Sequence, residues 1–335
     1  MQTLLKVPFL TLEGPEFTPQ WFAITMGTGI LALLISQFTF AAAHFIALSL
    51  WVLNFGLFLT FCVVGALKYR SRAARADLLH HPTQPFFLGT LPMGLCTLIN
   101  GLLHFIGPSS LPWAIGLWIL DVLLSVGCLM LLPVLRKGRT LTPLWLLPLV
   151  PCGVAAVGAT QLMNLLPDTH TDIFLYSGCA LWGLSVPAAL VVIGQLIGQF
   201  RKKGLPSHQE VFGLFLPIGP LATGALGWFN LGQHTSGILY DTALPVANLL
   251  WGAAAIWVCF ALMRLQKAFQ QPLAFHLGWW GLTFPVGAFA LTTLTLAGHT
   301  HLPVLQQVGA LMVVLIGMLW MLVGGKTLKL WQVLP

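Results

Sequence analysis

Apolar residues run along this chain in blocks of about twenty, the length that crosses a bilayer as a helix, and polar residues are confined to the short connections between them. Ten blocks follow one another: 17–38, 43–67, 82–106, 112–135, 141–163, 172–200, 207–230, 241–264, 275–297 and 303–325. The pattern predicts an all-α polytopic membrane protein, one transmembrane domain over 1–335. A short cytosolic tail, 1–16, precedes the spans, and a second, 326–335, follows them. The first tail lacks the basic and small-residue features of a signal peptide.

Within the blocks, glycine and proline recur in register. A triplet of Pro or Gly, any residue, then Gly occurs once in every odd-numbered block and nowhere else: Gly27 to Gly29, Pro92 to Gly94, Pro151 to Gly153, Pro217 to Gly219 and Pro285 to Gly287. Composition alone yields a similar number by chance, so the placement carries the inference. Successive copies lie 65, 59, 66 and 68 residues apart, and three share a threonine two positions earlier, Thr25, Thr90 and Thr283. The spacing predicts five helical hairpins, each with one helix kinked near the bilayer midplane at Gly27, Pro92, Pro151, Pro217 or Pro285. Irregular backbone at that depth is tolerated where it is buried in protein or lines a wet cavity, so five kinks at one level point to a shared interior.

The residues just before the kinks are Met26, Leu91, Val150, Leu216 and Phe284. Turned inward, they form an apolar collar, and hydrophobic constrictions gate by closure or dewetting. Phe284 is the largest and is the expected gate.

Composition agrees with the pattern: 57% of residues are hydrophobic and 7% charged, against about a quarter charged in soluble proteins. The net charge of +7 reports orientation rather than nucleic-acid binding, because all fifteen Lys and Arg residues fall in the tails or after even-numbered spans. By the positive-inside rule both termini face the cytosol. The opposite loops carry Asp168, Asp172, Asp241, His234, His299 and His301 and no basic residue. Basic residues at the cytosolic mouth concentrate anions there.

The six cysteines are scattered singly through six different spans, without disulfide or zinc spacing. Asp121, inside the fourth span, is either a proton-coupling carboxyl or a structural hydrogen-bonding group. His104, His299 and His301 near the outer face are candidate pH sensors or ordinary interfacial histidines. Gly194 and Gly198 form a GxxxG packing signal. Hydrolase, phosphate-binding and metalloprotease motifs are missing, as are the paired ligands of an intramembrane metal or haem. An enzyme is therefore not expected, and no cofactor is.

Three stretches, Trp21 to Ile30, His81-Pro82 with Phe87 to Gly94, and Trp279 to Pro285, resemble the tellurite-resistance/dicarboxylate transporter family, which includes plant slow-type anion channels, fungal malate permeases and sulfite exporters. The likeness spans the chain and is strongest to the fungal branch. It implies a ten-helix, quasi-five-fold bundle around a central pore, assembled as trimers in a plasma membrane, with the bacterial inner membrane as the expected location. It also implies that Phe284 occupies the position of a pore-occluding phenylalanine. Gly27 departs from the proline of the other repeats. The long cytosolic tails through which the plant channels are phosphorylated have no counterpart, so that regulation is not expected. The function expected is passage of small inorganic or organic anions, such as sulfite or a C4-dicarboxylate like malate, with a proton-coupled carrier using Asp121 as the alternative.

Overall fold

The computed structural model describes residues 16–167 and 170–332. The N-terminal tail through Pro15 with Lys6, the loop residue Asp168 and the last three residues lie outside the described residues. Among those described, every regular element is helical. In chain order they are α1 (Phe22–Ile35), α2 (Ala43–Lys68), α3 (Arg72–His80), α4 (Thr90–Phe105), α5 (Leu111–Leu135), α6 (Val150–Met163), α7 (Asp172–Lys203), α8 (Ile218–Gln233), α9 (Ile238–Ala268), α10 (Thr283–Thr300) and α11 (Pro303–Gln332). Among the described residues nine segments are long and apolar enough to cross a membrane, and a tenth apolar segment, Pro19–Ile35, is shorter.

Helices α1, α4, α6, α8 and α10 pack in a closed circuit, each on the next and α10 back on α1. The long helix that follows each of them, α2, α5, α7, α9 or α11, packs on it from outside and also leans on the next helix of the circuit. The two sets differ sharply in burial. Of the best apolar stretch in the four inner segments of span length, 78 to 94% is buried, against 22 to 39% in the five outer ones. The outer surface of α2 carries Phe45, Val52, Phe55, Leu59 and Val63, all exposed, as a lipid-facing helix should.

The inner segments begin in a different helical form from the one in which they end. A 3₁₀ stretch comes first, at Pro19–Trp21, Gln84–Gly89, Pro143–Leu146, His208–Phe215 and Leu277–Leu282, and the α-helix follows within a few residues. Pro92, Pro151 and Pro285 sit in the first turn of α4, α6 and α10, and Pro217 is the N-cap of α8. The prolines therefore mark helix starts and not the middle of continuous α-helices. A proline there forfeits no i→i−4 hydrogen bond within that α-helix, because its first-turn amides have no acceptor inside the helix itself. The penalty of about 3 kcal/mol for an interior proline does not arise.

Gly27 is a correction of another kind. The first junction lies at Trp21 and Phe22, and α1 runs unbroken through Gly27. Glycine costs a helix about 1 kcal/mol and removes no donor, so by itself it does not break one.

Two connections also differ from expectation. The link after α2 contains α3, whose N-cap Ser71 accepts a hydrogen bond from the Ala74 amide at 3.1 Å. The tail expected from residue 326 is helical as far as Gln332, held there because Thr327 is buried and accepts the indole N–H of Trp280 at 3.0 Å.

Candidate functional site

The threonines that precede the motif tie off a backbone carbonyl in three of the five repeats. Thr25 Oγ1 donates to the Phe22 carbonyl at 2.8 Å, Thr90 Oγ1 to Phe87 at 2.7 Å and Thr283 Oγ1 to Trp280 at 2.7 Å. Each hydroxyl thus satisfies a backbone carbonyl three residues back, a local bond open to threonine in a helix. Two of the three also seat the next repeat. A Cβ on Gly94 would collide with Thr25 Oγ1, and one on Gly27 with Thr283 Oγ1. Gly27 is thus a point of close approach between α10 and α1, and its requirement is for closeness.

A second five-membered set lies on the outer helices. Trp51 donates its indole N–H to the Leu98 carbonyl at 3.2 Å, Trp118 to Ala155 at 2.9 Å and Trp182 to Gly224 at 2.8 Å. Trp251 donates to Thr293 Oγ1 at 2.8 Å and Trp320 to Thr28 Oγ1 at 2.9 Å. In every case the acceptor is on the next inner helix, so α11 returns to α1 and the set closes. Three residues after these tryptophans come Asn54, Asp121, Ser185, Ala254 and Val323, all with no exposed surface. Sequence reasoning overlooked this series, although tryptophans at 51, 118, 182, 251 and 320 repeat with the period of the Pro/Gly motif.

Four of the five expected collar residues meet. Met26, Val150, Leu216 and Phe284 surround one small void together with Met93, Leu146, Leu147, Gly219 and Pro285. Its volume is about 10 Å³, room for no more than a single water. Leu91 is not among the lining residues. In an α-helix that starts at Thr90, residues two apart point to nearly opposite sides, and Met93 lines the void in its place.

On the basic end of the bundle lies a chamber of about 610 Å³, with Leu216 forming part of both its wall and that of the void. All five repeats contribute to it, through Gln20, Thr83 and Phe87, Leu141 to Leu144, the stretch from Gly204 to Leu216, and His276 to Gly281. Its polar walls are partly committed. Gln199 Nε2 donates to the Leu141 carbonyl at 3.1 Å, and Gln209 clamps the 272–274 turn by donating to Pro272 O at 3.0 Å and accepting from Ala274 N at 3.3 Å. His276 Nδ1 accepts from the Gly278 amide at 3.1 Å. Partial burial pulls this histidine below its ordinary range, and a hydrogen bond with the Gln209 backbone opposes that shift.

The remaining candidates lie elsewhere. Asp121 is fully buried, borders neither the void nor the chamber, and its two oxygens have no hydrogen-bond partner among the described residues. Ser125, one turn on, is likewise buried and unpartnered. His299 packs edge-on against Phe229, and His104 against Phe105. His301 caps α10 in the left-handed region, with φ 55°. A Cβ on Gly194 or Gly198 would meet no other described element within 4 Å. The cysteines within the described residues are all free.

With nine segments of membrane-spanning length among the described residues and lipid-type outer surfaces, this is a multi-pass membrane protein. The chain belongs to the voltage-dependent anion channel family (SLAC1), whose profile matches residues 16–328, and it is an anion transporter and not an enzyme. It is 30% identical over 340 residues to the sulfite efflux pump SSU1 of Trichophyton rubrum, covering 93% of this chain and 90% of that protein. It is 26% identical over 357 residues to the malic acid transport protein of Schizosaccharomyces pombe, covering 95% of this chain and 80% of that protein. An uncharacterized transporter of Methanocaldococcus jannaschii, MJ0576, is 25% identical over 292 residues, covering 83% of each chain. These relatives bear out the resemblance read from the residues. They are fungal and archaeal, and so give the expected bacterial inner membrane no support.

Proposed function

We propose that this protein passes small oxyanions, sulfite or a C4-dicarboxylate such as malate, through a central pore made by the five inner helices and closed at Phe284. In this reading the ten apolar segments are ten spans in five hairpins of quasi-five-fold arrangement, the basic end faces the cytosol, and the protein assembles as a trimer. The observation that carries the reading is the convergence of one residue or more from every repeat on the closed void, directly beyond a chamber also built by all five repeats. The sulfite and malic acid transporters among its relatives support the substrate class.

Phe284 fills the constriction with the bulkiest of its side chains. Phe284→Ala should raise anion flux in reconstituted liposomes by about tenfold or more, since removal of even 1.4 kcal/mol of barrier gives a factor of ten. An unchanged flux from correctly folded Phe284→Ala protein would refute the gate.

Asp121 does not support the coupled-carrier alternative, because it sits at the position of Asn54, Ser185, Ala254 and Val323 and borders neither cavity. Asp121→Asn should leave both the flux and its response to a pH gradient as they are in the wild type. Loss of the pH-gradient response would reinstate the carrier.

A further inference from the structure

The chamber carries an electrostatic feature at odds with a simple anion trap. Among the described residues no Lys or Arg lines it, although it lies at the end of the bundle where those residues gather, and the one described carboxylate in its wall belongs to Glu210. Glu210 is fixed by its neighbours. It closes a capping box with Ser207, accepting from the Ser207 amide at 3.4 Å and from its hydroxyl at 3.2 Å. No Lys or Arg forms a salt bridge with it among the described residues. The ring of His276, also in the wall, accepts a backbone N–H at Nδ1 and is therefore neutral in this arrangement.

The groups left to meet a substrate are neutral. Of the chamber's amides, Gln199 and Gln209 are engaged with backbone, whereas Gln20 has no such bond among the described residues and its Nε2 lies beside Gly278, 3.2 Å from where a Cβ would stand. Thr142 adds a hydroxyl to the same wall. Amide and hydroxyl donors can solvate an anion without holding it as a fixed cation would, which suits a site that must release what it admits. A carboxylate in the same wall repels the anion in proportion to its charge, so a dianion meets twice the opposition of a monoanion.

We propose that the chamber is a charge filter that admits singly charged oxyanions and turns away doubly charged ones, with Glu210 as the residue that sets the preference. The inference rests on the anion-transport reading and narrows it. Sulfite and C4-dicarboxylates both exist in singly and doubly charged forms, and the filter selects the singly protonated form of either. The basic residues Arg201, Lys202 and Lys203, exposed between the wall residues Phe200 and Gly204, concentrate anions of either charge at the entrance. Glu210 then sorts them.

The test uses the full-length protein in liposomes, with nitrate as a monovalent probe and sulfate as a divalent one, each of fixed charge at pH 7.5. Wild-type protein should favour nitrate. Glu210→Gln should lower the nitrate-to-sulfate flux ratio by about threefold or more and Glu210→Lys further, because each unit of substrate charge feels the altered wall separately. High salt should shrink the wild-type preference toward that of Glu210→Gln, since the Debye length falls to about 3 Å at 1 M. Glu210 is exposed, so both variants should fold, which size-exclusion chromatography verifies. An unchanged ratio in both folded variants, with nitrate flux intact, would overturn the filter. If Phe284→Ala protein moves sulfite but neither probe, the filter is overturned, because a singly charged oxyanion has been turned away; if it does not move sulfite either, the pore-and-gate reading fails instead.

Discussion

The inner and outer helices of this protein invert the rule that soluble proteins obey. The outer set, α2, α5, α7, α9 and α11, is the more apolar, yet it is the more exposed; the inner set is less apolar and nearly all buried. Lipid is as apolar as a leucine side chain, so helix association there rests on close packing and hydrogen bonds. The inner helices accordingly hold small residues that bring backbones together and threonines that tie off carbonyls. Prolines divide the same way. Those of the inner motif stand at helix starts, whereas Pro187 and Pro245 lie inside α7 and α9, where the cost of a lost backbone bond is real.

The largest effect that would break this contrast belongs to glycine. Gly27→Val forces a side chain into Thr283 and against Trp280 and should cost about 1–3 kcal/mol, as overpacking does. Gly116 on α5 has open space around it, and Gly116→Val should change stability by no more than about 0.5 kcal/mol, the range of surface substitutions. Unfolding of the two purified variants in detergent makes the comparison, and equal losses would erase the distinction between the two sets.

Tryptophans sharpen it at a smaller scale. Trp118→Phe keeps the ring and deletes the bond to the Ala155 carbonyl, for an expected loss of about 1 kcal/mol. Trp113, five residues earlier on α5, is 76% exposed, and Trp113→Phe should be silent in the same assay.

The smallest effect concerns pH at the entrance to α10. The folded protein lowers the proton affinity of His276, so its contribution to order is present above the ordinary histidine value of 6.5 and is lost as pH falls through the lowered one. Amide exchange in the 272–278 segment, corrected for intrinsic rates, should quicken between pH 7.5 and 5.5 in the wild type and not in His276→Asn. Identical pH responses would show that His276 does not hold this turn.

Much of the candidate site was legible in the residues because it repeats. The Pro/Gly triplets mark five equivalent places in the chain, and Met26, Val150, Leu216 and Phe284 follow from one rule applied at each. Leu91 shows the limit of that rule. Sequence spacing fixes the distance to a proline but not the register of the helix around it, and a start at Thr90 hands the collar position to Met93. The chamber was not legible at all, since its wall draws on connections such as 141–144 and 204–210 that carry no pattern of their own.

By itself the sequence determined the helical class, the ten apolar blocks and the gathering of charge at one end, because a bilayer imposes length and polarity on each segment separately. Which residues touch was decided only by the tertiary structure. Trp320 and Thr28 are 292 residues apart, and nothing local in either stretch anticipates their bond. The same holds for Phe284 and Met26, which border a single void from opposite ends of the chain. Closing the circuit joins the last repeat to the first, and that contact exists only when the inner helices pack as a set.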